Sequence, residues 1–360
     1  VRDSVKYLLA ACVVGVLGNS QLSSAQSVTG YAKELVVASR SVITDDAYQL
    51  SISRFRLQGS VNAGSAWNFQ AWGDAEWRTG SFLESIDYRL ASPTSVDPLV
   101  ALTTRRSFGS RSEGLLRLYR LTATREGRRL RIVAGRQRIP WGTTLVWNPT
   151  DLFNPTAPAS LERDERAAID AIRMSLAMGV LSAVDVVAAP ASALSEGRYA
   201  IRYRGHRGET DLSGMAGWFD GRWVAGADMA GYVRSAGVRA EGTVDDAGRF
   251  RLAANTDYTL RDGTYLTLEG YYNGGGDLSF QRDRWYGAVM ASRSVHPLIG
   301  VSLYGIHNME DGSGLVGPGI QASVTMRLDA ALSAYVPYGT ASSEFGVAHP
   351  LLFASLQYWF

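Results

Sequence analysis

Cysteine is almost missing from this chain of 360 residues: there is one, Cys12. A single thiol near the N-terminus excludes a disulfide framework and leaves no thiol chemistry for the rest of the chain. Lysine is nearly absent too, with Lys6 and Lys33 alone, so arginine supplies the other basic charges. Basic and acidic residues almost balance, 36 against 34, and the net charge of +2 gives no ground for a nucleic-acid partner. The four histidines, His206, His296, His307 and His349, stand in no metal-ligand spacing. The glycine-rich run Asn273 to Asp277 lacks the strand, lysine and helix of a phosphate-binding loop. No metal and no cofactor is expected. Past the N-terminus no apolar run of about 18 residues exists, which excludes a membrane-spanning helix; the stretch Gly179 to Leu194 is broken by Asp185 and Pro190. A β-barrel escapes that test, because only alternate residues need to face lipid.

What the chain has in plenty is glycine (38) and tyrosine (17), which suit short strands, tight turns and aromatic girdles. Residues 1–25 have the layout of a secretory signal: Arg2 and Lys6, then the apolar Tyr7 to Leu17, then small residues before a cut after Ala25. Leu9-Ala10-Ala11-Cys12 offers a rival lipoprotein reading, weakened because the apolar run continues past the cysteine.

From there the dominant signal is period two. In Ala66 to Arg78, Asn68, Gln70, Asp74 and Glu76 share one parity, while Trp67, Phe69, Ala71, Ala75 and Trp77 share the other. Arg198 to Arg204, Arg251 to Leu260 and Ile320 to Leu328 repeat the pattern. Turn signals at Glu126-Gly127-Arg128, Arg207-Gly208, Asp220-Gly221 and Asp262-Gly263 join such runs into antiparallel hairpins. Longer stretches alternate with these turns: Ser81 to Glu113, Ile139 to Ala167, Gly274 to Arg282 and Gly339 to Leu351. The fold expected is all-β: a transmembrane antiparallel β-barrel of about 18 strands, spanning 26–360, with 16 as the fallback. The strands fall near 29–39, 47–59, 65–78, 115–125, 129–138, 168–177, 181–190, 197–205, 210–219, 222–233, 235–244, 250–260, 264–273, 283–293, 298–308, 318–328, 330–338 and 352–360. The stretch Ser81 to Glu113 has room for further strands. A soluble sandwich would bury the aromatic parity instead, but many positions on that parity are Ala or Gly and would make a poor core.

The polar parity then lines the barrel. Its charged members are Arg54, Arg56, Asp74, Glu76, Arg131, Arg173, Asp185, Arg198, Arg202, Asp228, Glu241, Arg251, Asp257, Glu269 and Arg327. So many charges need water or one another. The long Ile139 to Ala167 connection is the candidate constriction, through Trp141, Trp147, Asn148, Asp151 and Asn154, with prolines limiting its freedom. Aromatic rings beside Asn and Asp suit carbohydrate or small organic solutes. His307, near a strand end, is the one histidine placed to face a barrel site, and a barrel-embedded hydrolase would need it.

The chain ends Leu352 to Phe360 with Leu356, Tyr358 and Phe360 on one face. A final alternating strand closed by phenylalanine resembles the signal that outer-membrane porins present to the barrel-assembly machinery. A second resemblance lies in Gly135-Arg136-Gln137-Arg138-Ile139-Pro140-Trp141-Gly142 and Trp147-Asn148-Pro149-Thr150-Asp151-Leu152-Phe153-Asn154-Pro155. It is to porin-like barrels related to the alginate-export group, in which such a strand end leads into such a loop. Glu162 to Glu165 and Asp170 to Arg173 resemble the strand that follows. These resemblances imply a Gram-negative outer-membrane barrel in contact with lipid, and about 16–18 strands leave an aqueous path, so passive passage of small hydrophilic solutes and no enzymatic role are expected. They leave open a conduit plugged by a partner protein, and they leave open the oligomeric state, a homotrimer included.

Overall fold

The structure is a computed structural model that describes residues 26–90, 102–155, 157–160, 168–275 and 282–360. The expected leader, 1–25, and the acidic run 162–165 lie outside the described residues. Among the described residues no helix is long and apolar enough to cross a membrane.

The chain forms one closed sheet. Its first half comprises β1 (Gln26–Arg40), β2 (Ala47–Ala63), β3 (Trp67–Thr79), β4 (Thr103–Ser107), β5 (Ser112–Glu126), β6 (Leu130–Gln137), β7 (Ile169–Ala177), β8 (Ala183–Ala189), β9 (Arg198–Arg207) and β10 (Thr210–Phe219). Its second half comprises β11 (Arg222–Val233), β12 (Ala236–Asp245), β13 (Phe250–Thr259), β14 (Tyr265–Asn273), β15 (Trp285–His296), β16 (Ile299–Asn308), β17 (Gly314–Thr325), β18 (Leu328–Tyr338) and β19 (Leu351–Trp359). All pairings are antiparallel, and β1 pairs with β19 from Tyr31↔Trp359 to Ala38↔Leu352, which closes the barrel.

Eighteen of these strands are staves of the wall. The nineteenth, β4, is an insertion within the Ser81 to Glu113 stretch. It pairs with β5 from Thr103↔Arg117 to Ser107↔Glu113, whereas β6 pairs further along β5, from Leu121 to Glu126. The reason lies in β6, which is short because the chain leaves the wall after Gln137. An open edge on β5 would expose unpaired backbone groups, and β4 covers it.

The two faces obey the alternation. On β2 and β3, Phe55, Leu57, Trp67, Phe69 and Trp77 are exposed outside, while Arg54, Arg56, Asp74 and Glu76 are buried inside. Strand direction places the two-residue turns 208–209, 234–235, 297–298 and 326–327 at the end that also holds both β1's start and β19's finish. The long connections lie at the other end, together with one tight turn, Asp220-Gly221, where both residues take positive φ (50° and 90°).

The closing seam depends on the last residue. Gly30 and Phe360 exchange backbone hydrogen bonds of 3.0 and 3.1 Å, and the Phe360 ring stacks on Phe55 at 5.4 Å. A Cβ on Gly30 would lie 2.3 Å from the Arg56 carbonyl oxygen and 2.8 Å from the Phe360 ring, so only glycine fits there.

Candidate functional site: an inner wall and a loop folded into it

Register brings charges of opposite sign face to face on β2 and β3. Arg54 pairs with Glu76, and Arg56 with Asp74, as direct cross-strand neighbours. The Arg54 Nε lies 2.9 Å from Glu76. Arg56 holds Asp74 through two parallel bonds of 2.6 Å, the fork-on-carboxylate geometry that guanidinium favours. The network continues onto β5 and beyond: Arg117 reaches Glu76 at 3.1 Å, Arg78 reaches Glu76 at 2.8 Å, and the Tyr88 hydroxyl donates to Glu113 at 2.7 Å. Rings back the cations. The Arg56 guanidinium lies 4.3 Å from the Tyr119 ring centre, and that of Arg120 lies 4.1 Å from Trp72.

A second cluster spans β7 to β11. Asp185 accepts from Arg173 (3.2 Å) and Arg204 (2.9 Å). Arg202 bonds Asp228 at 2.9 Å and Ser213 at 2.9 Å. Arg198 bonds Asp220 at 2.7 Å, and it also donates to the carbonyls of Leu152 and Phe153 at 2.7 and 3.1 Å. Asp257 pairs with Arg239 on the neighbouring strand.

The connection after β6 folds into the barrel. Its departure point explains the glycine in the Gly135-Arg136-Gln137 run: Gly135 has φ 114°, and a Cβ there would lie 2.2 Å from the Leu121 carbonyl oxygen. Gln137 ties the strand end by donating to the carbonyls of Val133 (3.1 Å) and Ala171 (3.0 Å). Arg136 bonds Asp170 at 2.8 Å through two parallel hydrogen bonds. Inside, two carboxylates from the opposite wall hold the loop. Glu269 on β14 accepts from the consecutive backbone N–H groups of Leu145 (2.9 Å), Val146 (3.1 Å) and Trp147 (2.7 Å). Glu241 on β12 accepts from the Thr144 N–H (3.2 Å), from Asn148 (3.1 Å), and from the hydroxyls of Thr144 and Thr150. Three successive N–H groups converging on one carboxylate make an anion nest from ordinary backbone.

Apolar packing finishes the seat. Trp141 and Phe153 join Ile169, Val187, Met215 and Phe219 in one buried cluster. Val146 and Trp147 join Ala253, Tyr271, Tyr286 and Ile306 in another. Trp147 stacks on Tyr271 at 5.2 Å, and Trp141 meets Phe153 edge-on at 4.9 Å. Asn154 accepts from the Ile139 N–H at 2.6 Å, closing the loop on itself.

Most of the residues singled out from the sequence therefore stand on the inner face, but Arg327, His307 and the two loop tryptophans differ from expectation. Arg327 lies in the exposed two-residue turn 326–327, because a bulge at Ser323/Thr325 ends β17 before it. His307 points outward, its ring stacked on Tyr338 at 6.0 Å and its Nδ1 2.9 Å from the tyrosine hydroxyl. A hydrolase reading loses its base on the inner face. The loop tryptophans face the wall and are nearly sealed (Trp141 is 1 % exposed), so their rings are not offered to a carbohydrate. Arg131 does share the inner parity but sits at the short-turn end, exposed and 2.8 Å from Glu126. The anchoring use of Glu241 and Glu269 has no local sequence signal, since their partners lie on a distant segment.

No protein-family model and no curated protein matches this chain. Solved structures do. OccAB3 of Acinetobacter baumannii superposes with a TM-score of 0.61 at 8% identity, over 93% of this chain and 99% of that one. OccK5 (OpdH) of Pseudomonas aeruginosa gives 0.61 at 7% identity, over 93% and 98%. A mutant of the Rh. blastica porin gives 0.52 at 12% identity, over 93% and 100%. At such identities the likeness is one of fold, and the fold they share with this chain is a porin-like closed antiparallel barrel.

Proposed function

We propose that the chain is an outer-membrane channel for passive diffusion of small hydrophilic solutes, narrowed by the loop that follows β6. The observation that carries this is the loop's seat: two wall carboxylates and two apolar clusters hold it inside the barrel, while the β1–β5 side of the inner wall keeps its charges in a paired ladder. Eighteen staves enclose more space than side chains alone fill, and buried paired charges of this density suit a wet lumen. The apolar outer face, with Phe55, Trp77, Leu116, Ile201, Leu268 and Leu356 exposed, needs a lipid solvent. The likeness to porins supports the same location. In this orientation the short-turn end is periplasmic, and the final strand with Leu356, Tyr358 and Phe360 on its outer face is what the assembly machinery reads.

Beside the passage, Arg54, Arg56, Arg78, Arg117 and Arg120 outnumber Asp74, Glu76 and Glu113. A field of that sign favours anions. The test is single-channel conductance of the refolded barrel in a planar bilayer. Stable stepwise openings with a reversal potential on the anion side are expected. Silence from a chain shown by circular dichroism to be a folded barrel overturns the channel, and a cation-side potential overturns the selectivity.

A further inference from the structure

Among the described residues, one buried guanidinium of the inner wall is without a counterpart. Arg251 on β13 faces inward between Thr243 of β12 and Asn273 of β14. It is 6 % exposed, and among the described residues it has no hydrogen bond and no ion pair. The other deeply buried arginines of the inner wall, Arg54, Arg56, Arg198 and Arg202, are held by carboxylates, and Arg120 lies over the Trp72 ring. A buried cation without a partner is costly, and in a native structure such a group calls for an explanation, a bound ion among them. The Nε is buried without a bond.

The surrounding charges add to it. Arg249 and Arg222 bear on Arg251 with the same sign, and Asp245 with the opposite one. Asp245 is already engaged: Arg249 bonds it at 2.7 Å, and the backbone N–H groups of Ala247 and Arg249 reach it at 3.0 Å each. Glu241, two residues before Thr243 on the same face, is taken by the loop. Arg222 opens β11 at the long-loop end, exposed and on the inner parity opposite Phe219. Above the guanidinium runs Gly275, where a Cβ would lie 3.0 Å from the Arg251 Nη2; glycine keeps that approach clear.

We propose that Arg251, with Arg222 and Arg249, forms a binding site for a small oxyanion of the phosphate type, on the inner wall at the long-loop end of the barrel. The inference rests on the channel reading for its purpose, since a solute entering from that end meets this site beside the loop's anchors. Its chemistry stands apart: a tetrahedral anion offers several acceptor oxygens, and three guanidiniums offer donors with an excess of positive charge.

The experiment is calorimetric titration of the refolded chain in detergent with inorganic phosphate, and with chloride as the comparison. Saturable phosphate binding is expected, stronger than chloride's. Arg251→Gln weakens it by roughly tenfold or more, the scale of removing one charge-assisted hydrogen bond. Arg222→Gln weakens it less, and Arg327→Gln, in the distant turn, leaves it unchanged. If Arg251→Gln fails to fold by circular dichroism, Arg222→Gln, at the exposed rim, carries the test. Phosphate binding no stronger than chloride's overturns the site, as does unchanged binding in a folded Arg251→Gln chain. The readout needs no open pore. A chain that binds phosphate and does not conduct overturns the channel alone; one that conducts without binding phosphate overturns the site alone.

Discussion

The inner wall formed by β1 to β5 and the inner wall formed by β12 to β16 use buried charge in opposite ways. On the first, each carboxylate faces an arginine across the strand pair: Glu76 faces Arg54, and Asp74 faces Arg56. On the second, Glu241 and Glu269 are as deeply buried, but apart from Asn255, which donates to Glu269 at 2.9 Å, their partners are the backbone and side chains of residues 144–150. The first arrangement completes itself within the sheet. The second is complete only when a remote segment comes in to fill it. A paired ladder stiffens a wall, whereas carboxylates lacking an arginine mark where the chain is drawn inside.

The largest effect should come from breaking the second arrangement. With Glu241→Ala and Glu269→Ala combined, the loop is deprived of hydrogen bonds that each contribute about 1.5–3 kcal/mol when a charge is involved. Single-channel conductance should rise toward that of a chain lacking Asn148 to Ala157; conductance equal to wild type in both would show that the loop does not narrow the passage. Breaking the first arrangement comes next. Arg56→Ala strands Asp74 in a buried position and should cost about 3–5 kcal/mol in urea unfolding, while the pair-replacing Arg56→Met with Asp74→Leu should cost far less. Equal losses in both would mean that packing, not pairing, holds that wall. A finer probe of the loop's seat is Tyr271→Leu, which stays apolar and removes the stack on Trp147. The expected loss is about 0.5–1.5 kcal/mol of loop docking, read as faster amide exchange at Leu145 to Trp147, with β2 and β3 unaffected.

The smallest effect concerns pH at the mouth. Burial pushes the Glu344 carboxyl above its usual range, although it accepts from Tyr286 and Asn308 at 2.7 and 2.8 Å. Asp283, on the same Asn308, pushes in the same direction. A carboxyl whose folded pKa is raised binds its proton more readily when docked. Docking of the 339–350 loop is therefore firmest below the ordinary carboxylate range and loosens as pH rises through the raised value. Protection of the Phe345 amide, which donates to Ser313 at 3.2 Å, should fall across that window, and Glu344→Gln should flatten the change. A pH-independent protection in wild type would reject it.

Period-two alternation made the wall legible. Each of the 18 expected strands is present within a few residues, because a strand between water and an apolar medium writes its two faces directly into neighbouring residues. β17 shows the limit. Its pattern ran smoothly to Leu328, while the chain turned at 326–327 after a bulge, which no alternation reveals. For β4 the sequence offers only room for further strands; five exposed residues, Thr103–Ser107, form a strand because β5 has an open edge there, and the edge exists because β6 stops early.

The inner site divides the same way. The parity of Arg54, Asp74, Glu241 and Glu269 was fixed by their own sequence neighbours. That Asp74 would meet Arg56 required the register of β2 on β3. That Glu269 would meet Leu145 to Trp147 required a contact across more than a hundred residues. The side on which Trp141 and Trp147 present their rings was decided by the cavities that the wall left for them. Local sequence determines which face a side chain takes, since that depends only on backbone geometry and the media on either side. Partners separated by a whole barrel wall are chosen by closure, because only the closed sheet brings them within the few ångströms over which hydrogen bonds and packing act.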